Sequence, residues 1–254
     1  KIKFTPSKKF TITQIMSHVD YFQQNPEGLN LEQFDNLAQA NPDANPFNEY
    51  QKTNRTTFGF HAKYKFNDKQ DVEATSYLRN WNYKETSNKA AEYRTVTNPG
   101  VTIQYNLHLN TDKIKNTFSV GADLKYQNIA MYKLMSGSDT NRVESTDEYN
   151  IELDTLLANQ IISQQSAGFY AMYNLNFGKF NFIGNVRYDN ISNDLTNKML
   201  GIDSASTNKD FTNTSIRLSM SYNVLKSLTA FANYSQGFIP PSTEELASNP
   251  VGYS

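Results

Sequence analysis

Alternation of apolar and polar residues over long stretches is the feature that most constrains the fold of this chain of 254 residues. Between Arg55 and Phe66, apolar or small side chains occupy every second position, and His61, Lys63 and Lys65 lie between them. Successive side chains of a β-strand point to opposite faces, so this period of two predicts a strand with one apolar and one polar face. The pattern recurs about ten times. The sequence therefore predicts an all-β, antiparallel fold.

Composition narrows the class of protein further. The chain contains 16 Tyr, 16 Phe and one Trp, which is typical of β-structure. It contains no Cys, which excludes disulfides and thiolate metal sites. The 24 basic and 25 acidic residues are nearly balanced, so no electrostatic footprint for nucleic acid is present. No apolar run reaches the roughly 18 residues of a membrane-spanning helix, whereas barrel strands are only half apolar and fit the sequence.

The connections between the predicted strands alternate between short and long. Turns such as Asn67–Lys69 and Gly178–Lys179 are short. The long polar connections are Gln23–Thr53, Lys84–Thr97, Leu134–Gln160 and Ser192–Asp210. This asymmetry predicts a transmembrane β-barrel with short periplasmic turns and long extracellular loops, because a soluble sandwich has shorter strands and no reason to collect long loops at one end. Within the first long connection, Asn30 and Gln33 have capping-box spacing and predict a helix over Leu31–Ala40.

The polar faces of the strands are too charged for a dry interior. The charged residues on these faces are Lys63, Lys65, Glu73, Arg79, Asp123, Lys125 and Arg187. Buried charges are costly unless they are paired and hydrogen-bonded, so we expect this face to line a wet lumen and the apolar face to meet lipid. Aromatic residues near the strand ends predict two interfacial girdles, with cross-strand aromatic pairing as the alternative. They are Phe10, Phe66, Phe118, Phe177 and Phe180 beside short turns, and Trp81, Tyr83, Tyr132 and Phe238 near long loops.

Two motifs point to a family. Val186–Asp189 closes one strand, and Ala232–Phe238 closes another before Pro240–Pro241 and Glu244–Leu246. Together they resemble the mid-barrel of TonB-dependent outer-membrane receptors. The loop Leu29–Phe47, with its Leu-rich turn and Asn-Pro pairs, is similar to that family as well.

The resemblance implies a plugged barrel of about 22 strands in the outer membrane of a Gram-negative bacterium. Such receptors import scarce, large nutrients, usually ferric siderophores, haem or cobalamin, with energy supplied by TonB. Ten strands do not close such a barrel, and an open sheet in lipid would have two unsatisfied edges. We therefore expect residues 1–254 to be a partial receptor barrel domain, from the middle of a longer protein that supplies the plug.

The partners that follow are an iron chelate or a similar small cargo, outer-membrane lipid, and the TonB complex, contacted through the missing plug. No nucleic acid is expected. Two alternatives stay open: a passive porin-like barrel, and a soluble β-rich protein that binds carbohydrate or acts as an adhesin.

Cargo recognition in such a receptor should come from the long loops and the upper lumen wall. Arginine suits carboxylate or catecholate charge, and Tyr and Trp offer flat surfaces. The predicted ligand-binding residues are Trp81, Tyr83, Arg94, Tyr132, Arg142 and Tyr149. The outer girdle is the favoured alternative for the three aromatic residues Trp81, Tyr83 and Tyr132. Ion pairing with nearby acids such as Glu92 and Glu144 is the alternative for the two arginines.

The sequence predicts no enzyme and no cofactor. It contains no Gly-x-Ser-x-Gly elbow or phosphate-binding loop, so we expect no catalytic residues. His18, His61 and His108 lie on separate predicted strands, and solvated histidines are favoured over a metal site. The acidic loop Asp139–Asp154 lacks the spacing of a defined calcium loop, so no metal site is predicted there either.

Overall fold

The computed structural model describes residues 1–25, 28–36, 49–87, 90–136, 153–199 and 207–241. They form one antiparallel sheet of ten strands, in which every strand pairs with its neighbours in chain order, as the all-β prediction requires. The strands are β1 Ile2–Ser7, β2 Phe10–Gln24, β3 Tyr50–Asn67, β4 Gln70–Thr86, β5 Ala90–His108, β6 Ile114–Ser136, β7 Leu153–Phe177, β8 Phe180–Asn197, β9 Thr207–Leu225 and β10 Leu228–Ser235. No helix in these ranges is long and apolar enough to span a membrane.

The strand register is continuous through most of β3 to β9. The side chains of these strands therefore fall on two distinct faces of the sheet. We call the face with Phe60, Val101 and Leu124 the outer face. The opposite face, with Glu73, Asp123 and Arg187, is the inner face. All seven charged residues that the alternation assigned to the polar face lie on the inner face, so that prediction is confirmed.

An apolar band crosses the lower part of the outer face, next to the short turns. On β6 it runs from Phe118 to Tyr126, with both rings well exposed. Eight residue steps of about 3.3 Å, at a strand tilt of about 40°, give a height of roughly 20 Å. The apolar bands of outer-membrane barrels are about 25 Å tall, so an exposed apolar surface of this height fits a barrel wall in lipid.

The band has a sharp upper limit. The last outward residues of the band on β3 to β9 are Phe58, Leu78, Pro99, Tyr126, Ala167, Tyr188 and Ile216. The next outward residues are Thr56, Asn80, Thr97, Asn128, Gln165, Asn190 and Thr214. All seven of these are polar, so the apolar band ends within one outward step on each of β3 to β9.

The strands continue well beyond this limit, which corrects the predicted loops. β4 ends at Thr86 and β5 begins at Ala90, so much of the predicted loop Lys84–Thr97 is strand and the strict alternation of loop lengths is wrong there. β6 to β9 likewise extend into the predicted loops Leu134–Gln160 and Ser192–Asp210. The reason is that the apolar pattern does not stop above the band but changes face.

Above the band, the inner face becomes apolar. Trp81, Val96, Ile129, Ile162 and Leu195 lie directly opposite one another on β4 to β8. We call these five residues the inner apolar row. The four aliphatic members are at most 7% exposed and form the hydrophobic core cluster of the described residues, with Trp81 and Met131 packed against it.

One short helix, α1 (Leu31–Asp35), follows β2. Asn30 caps it as predicted: its side-chain oxygen accepts from the Gln33 backbone, and the Gln33 side chain accepts from the Asn30 backbone. The capping box is confirmed. The helix ends at Asp35, before the predicted end at Ala40, which lies outside the described residues.

Candidate functional site

Ion pairs and hydrogen bonds compensate several of the charges on the lower inner face. Near the short turns, Lys63 Nζ lies 2.6 Å from Glu73 Oε1 and 3.3 Å from Asp71 Oδ1. Asp71 also accepts a hydrogen bond of 2.7 Å from Asn106 Nδ2, and its other oxygen lies 2.8 Å from His108 Nε2. The nearly buried Asp71 carboxylate thus has three partners, Lys63, Asn106 and His108, and a buried charge needs such partners to be stable.

A second cluster is built around Arg187 on β8. Its Nη2 lies 2.7 Å from Asp123 Oδ2 on β6, and its Nε donates to Asp189 at 2.8 Å. To reach β6 the guanidinium passes over Gly168 on β7, where an added Cβ would lie 2.0 Å from Nη2. Glycine at that position therefore permits an ion pair that spans two strands.

Tyrosine rings lie flat against the inner face in the same way. Tyr170 passes over Gly121 and donates a hydrogen bond of 2.9 Å to Gln104 Oε1. Tyr77 covers Gly100, where an added Cβ would lie 2.5 Å from the ring. Glycine under each ring lets the large tyrosine side chain lie close to the backbone of the sheet, so that these side chains project little into the lumen.

Trp81 and Tyr83 lie on the inner face, above the lower clusters. Trp81 is opposite Val96 and packs on the inner apolar row. Tyr83 is opposite Arg94, two residues higher on the same face. The outer-girdle interpretation of these two residues is therefore wrong, because the unbroken register places both on the same face as Glu73.

The positive charge of Arg94 is compensated by the Glu92 carboxylate on the same strand. Its Cζ lies 5.5 Å from the centroid of the Tyr83 ring, and its Nε pairs with Glu92. Lys133 Nζ approaches the same carboxylate at 3.8 Å. Burial and the neighbouring Glu85 carboxylate raise the pKa of the Tyr83 hydroxyl above its ordinary value, so this ring is neutral at physiological pH. The pairing alternative for Arg94 is confirmed.

Tyr132 lies on the outer face, away from Trp81. It is stacked on Tyr93 with ring centroids 4.6 Å apart and planes 10° apart. Burial and the adjacent Tyr93 raise the pKa of the Tyr132 hydroxyl. Its face agrees with the girdle interpretation. Arg142 and Tyr149, the other two predicted ligand residues, lie outside the described residues, as does most of the acidic loop.

Sequence reasoning missed two arginines next to Trp81. Arg55 lies opposite Trp81, and Arg79 lies opposite Thr57, so both are on the inner face. Neither forms an ion pair with any described residue, and Arg79 Cζ lies 6.0 Å from the Tyr77 ring centroid. Alternation does place both arginines on the polar face. What it lacks is the register, which places no carboxylate of the described residues in an ion pair with Arg55 or Arg79, whereas Arg94 pairs with Glu92 on its own strand.

The histidines make ordinary polar contacts. His18 lies on the outer face with Nδ1 2.9 Å from Thr56 Oγ1, and His61 Nδ1 lies 3.0 Å from Thr75 Oγ1. Among the described residues, no group of three or more potential ligands that could hold a metal ion occurs.

Comparisons with known proteins agree with this two-faced wall. The family model of the TonB-dependent receptor-like β-barrel matches residues 5–254. No curated protein sequence matches the chain. Among solved structures, the ferric citrate transporter FecA in its unliganded form has a TM-score of 0.74 at 12% identity, covering 91% of this chain and 34% of FecA.

Two further receptors share the fold. BauA, the ferric preacinetobactin receptor from Acinetobacter baumannii, has a TM-score of 0.65 at 10% identity, covering 89% of this chain and 37% of BauA. The open form of Fiu, the ferric-catecholate import receptor from E. coli K12, has a TM-score of 0.64 at 14% identity, covering 94% and 46%. The chain thus spans between a third and a half of these structures. It belongs to the TonB-dependent receptor-like β-barrel family, whose members lie in the outer membrane of Gram-negative bacteria.

Proposed function

We propose that residues 1–254 form part of the barrel wall of a receptor that imports a large, scarce nutrient, namely a ferric siderophore or another iron chelate, with energy from TonB. The observation that carries the proposal is the two-faced wall, which has an exposed apolar band of roughly 20 Å outside and ion pairs inside. The remaining strands, and the plug that would contact TonB, would come from the rest of the receptor.

The cargo class is supported by chemistry that the neighbours share. FecA is a ferric citrate transporter, BauA a ferric preacinetobactin receptor and Fiu a ferric-catecholate import receptor. Identities of 10–14% relate only the folds, so the cargo of this chain needs its own test. We propose an iron chelate because ferric complexes are the common cargo of these three.

The structure supports the proposed ligand-binding role for some of the predicted residues more than for others. Trp81, Tyr83 and Arg94 lie together on the inner face, where a cargo passing through the barrel would meet them. Tyr132 lies on the other face, and its role remains a prediction. The roles of Arg142 and Tyr149 also remain predictions.

A growth experiment tests the proposal. The gene is deleted, and growth is measured on a panel of single iron sources, with and without a functional TonB. We expect the deletion strain to lose growth on one chelate, and the TonB-deficient strain to lose growth on the same one. Uptake that persists without TonB would favour the passive porin-like barrel. Recovery of the full-length protein in the soluble fraction, without heat-modifiable migration, would favour the soluble β-rich alternative.

A further inference from the structure

We propose that the outer face of β3 to β7 binds one molecule of a phosphorylated glycolipid from the outer leaflet of the membrane. Its acyl chain occupies a groove at the upper edge of the apolar band, and its phosphate groups contact Lys52 and Lys84. This inference goes beyond the proposed function, because it concerns the face that points away from the cargo. It depends only on the position of the wall in the outer membrane.

Two lysines form the charged part of the site. Lys52 on β3 lies directly opposite Lys84 on β4, and these two are the only charged residues on the outer face of β3 to β6. Lys52 forms no ion pair with a described residue, and the acid closest to it in the register, Asp20, lies opposite Asn54. Like charges directly opposite each other destabilise a sheet, so a phosphate group bound between the lysines removes a repulsion.

Aromatic rings surround the lysine pair. Lys84 Nζ lies 5.4 Å from the ring centroids of both Tyr50 and Tyr93, which hold it in place. Tyr93 is stacked on Tyr132, and Phe22 lies 5.4 Å from Tyr50, so rings flank the pair on both sides. The Phe22 and Tyr132 rings are well exposed. Flat apolar rings beside cations suit phosphorylated sugars, which combine apolar C–H surfaces with negative charge.

The height of the lysine pair indicates the class of lipid. Lys84 is six residues above Leu78, the last residue of the apolar band on β4. Six steps of about 3.3 Å at a tilt of about 40° place it roughly 15 Å above the band. The polar region of an ordinary bilayer extends only about 5–8 Å beyond the hydrocarbon core on each side. A lipid that reaches the lysines therefore needs a long headgroup of several sugars.

A groove on the same strands accommodates an acyl chain. Its volume is about 730 Å³, within the range of roughly 300–1,000 Å³ that is usual for small-molecule sites. Val101, Leu124 and Tyr126 supply much of its apolar lining, in the upper part of the band. Ser76 and Ala167 lie in the same row as Leu124, and their short side chains leave the depression.

A polar track joins the groove to the lysine pair. The outward residues between them are Asn80 and Asn82 on β4, and Thr97 and Thr95 on β5. These side chains donate and accept hydrogen bonds, as sugar hydroxyl groups require. One long glycolipid contacts the groove, the track and the lysines together, whereas free phosphate contacts the lysines alone.

The test uses the full-length receptor in a neutral detergent, and native mass spectrometry measures the affinity for each probe. The probes are lipopolysaccharide, its dephosphorylated form, its deacylated form and inorganic phosphate. The variants are Lys52→Gln with Lys84→Gln, and the charge-preserving Lys52→Arg with Lys84→Arg. Lys65→Gln with Lys115→Gln is the matched control, because it removes the same charge from the inner face.

We expect the wild type to bind one lipopolysaccharide molecule, more tightly than the dephosphorylated form. A lysine near an anionic membrane surface contributes about fivefold in affinity, so the double Gln variant should lose about tenfold or more. The Arg variant and the inner-face control should stay within about twofold of the wild type. Heat-modifiable migration checks folding. If the double Gln variant fails it, single Lys52→Gln should still lose about fivefold.

The groove is tested separately by Ala167→Phe, which fills it. Ala122→Phe is the control, because Ala122 lies on the outer face of the band but does not line the groove. Ala167→Phe should weaken the binding of lipopolysaccharide about tenfold and leave the affinity for the deacylated form within about twofold of the wild type. Ala122→Phe should change neither affinity.

Several results would overturn the inference. Equal wild-type affinities for the phosphorylated and dephosphorylated probes, or an equal loss in the inner-face control, contradict phosphate recognition by the lysine pair. An equal loss in Ala122→Phe contradicts the groove. Complete displacement of lipopolysaccharide by inorganic phosphate would indicate a site for phosphate alone. A protein or a second receptor copy bound to this face after extraction would make it a protein interface. None of these outcomes affects the iron-chelate proposal, which the growth experiment tests.

Discussion

The lower and upper parts of this wall are built from the same strands but have opposite surfaces. Below the upper limit of the band, the outer face is apolar and the inner face carries ion pairs such as Arg187 with Asp123. Above it, the outer face is polar and the inner face carries the inner apolar row. The strand does not change at the limit, whereas the medium on its outer side changes from lipid to water.

The difference teaches that the face on which apolar residues alternate depends on the surroundings of a strand. The end of one alternating pattern therefore does not mark the end of the strand. In lipid, the apolar face must point outward, because the bilayer offers no water to polar groups. In water, the same sheet gains stability only by turning its apolar residues inward, against each other. A strand that crosses the limit therefore inverts its pattern, and each half predicts a distinct response to mutation.

The largest expected effect lies in the inner apolar row. Ile162 is 2% exposed on the inner face, and its neighbour Ile161 points outward to water. Ile162→Ala should lower the free energy of unfolding by about 2–5 kcal/mol, because it leaves a cavity in the cluster. Ile161→Ala is the matched control and should cost about 1 kcal/mol or less, since it removes fewer contacts. Urea unfolding of the receptor in lipid vesicles measures both, and a larger effect of Ile161→Ala would contradict the inversion.

The next largest effect is expected for a charge introduced on the outer face, which should cost more within the apolar band than above it. Ala122 and Ala130 lie on the outer face of β6, inside and above the band respectively. Ala122→Arg should cost about 2–4 kcal/mol near the midplane, and Ala130→Arg about 0–1 kcal/mol beyond the interface. The yield of heat-modifiable receptor and vesicle unfolding measure the difference. Equal costs for the two variants would mean that the apolar band extends above Tyr126 on β6.

Much of the fold could be predicted from the sequence, because alternation is a local signal. The ten strands, the short turns and the capping box at Asn30 all follow from residues close together in the chain. The strand ends could not be predicted, because beyond the band the apolar residues change face and the familiar pattern stops. Val96 and Ile129 lie in regions that lack an apolar outer face, so the alternation around them is reversed.

The candidate site was less predictable, because it depends on pairs that are distant in sequence. Arg94 and Glu92 are two residues apart, and their pairing was an evident alternative. Arg187 and Asp123 are 64 residues apart, and only the register brings them together. Whether a described carboxylate reaches Arg55 likewise depends on all its neighbours in the sheet, which no single stretch of sequence contains.

Within the lower part, close packing on the inner face gives a smaller effect. Gly168→Ala would place a Cβ 2.0 Å from Arg187 Nη2 and 2.6 Å from Asp123 Oδ2, so the ion pair must move. We expect a loss of about 1–3 kcal/mol in the free energy of unfolding. Gly237→Ala is the control, because nothing lies within 4 Å of its added Cβ. A neutral Gly168→Ala would show that the pair spans the strands by another route.

The smallest expected effect is that of Lys84→Met, and the sign of the change in the free energy of unfolding depends on whether Lys84 faces water or lipid. Lys84 lies on the outer face above the band, with Nζ 5.4 Å from the ring centroids of both Tyr50 and Tyr93. In water, Lys84→Met removes two cation–π contacts and should lower the free energy of unfolding by about 0.5–1 kcal/mol. In lipid, the same substitution would remove a misplaced charge and raise it by about 2–4 kcal/mol. Lys52 lies directly opposite Lys84 and forms no cation–π contact with a described ring, although Phe22 is its partner on β2, and Lys52→Met should change the free energy of unfolding by less than about 0.5 kcal/mol. Unfolding of both variants in vesicles thus tests whether this part of the wall lies in water. A stabilisation of about 2–4 kcal/mol by Lys84→Met would place it in the bilayer, since relief of the repulsion from Lys52 contributes at most about 1 kcal/mol.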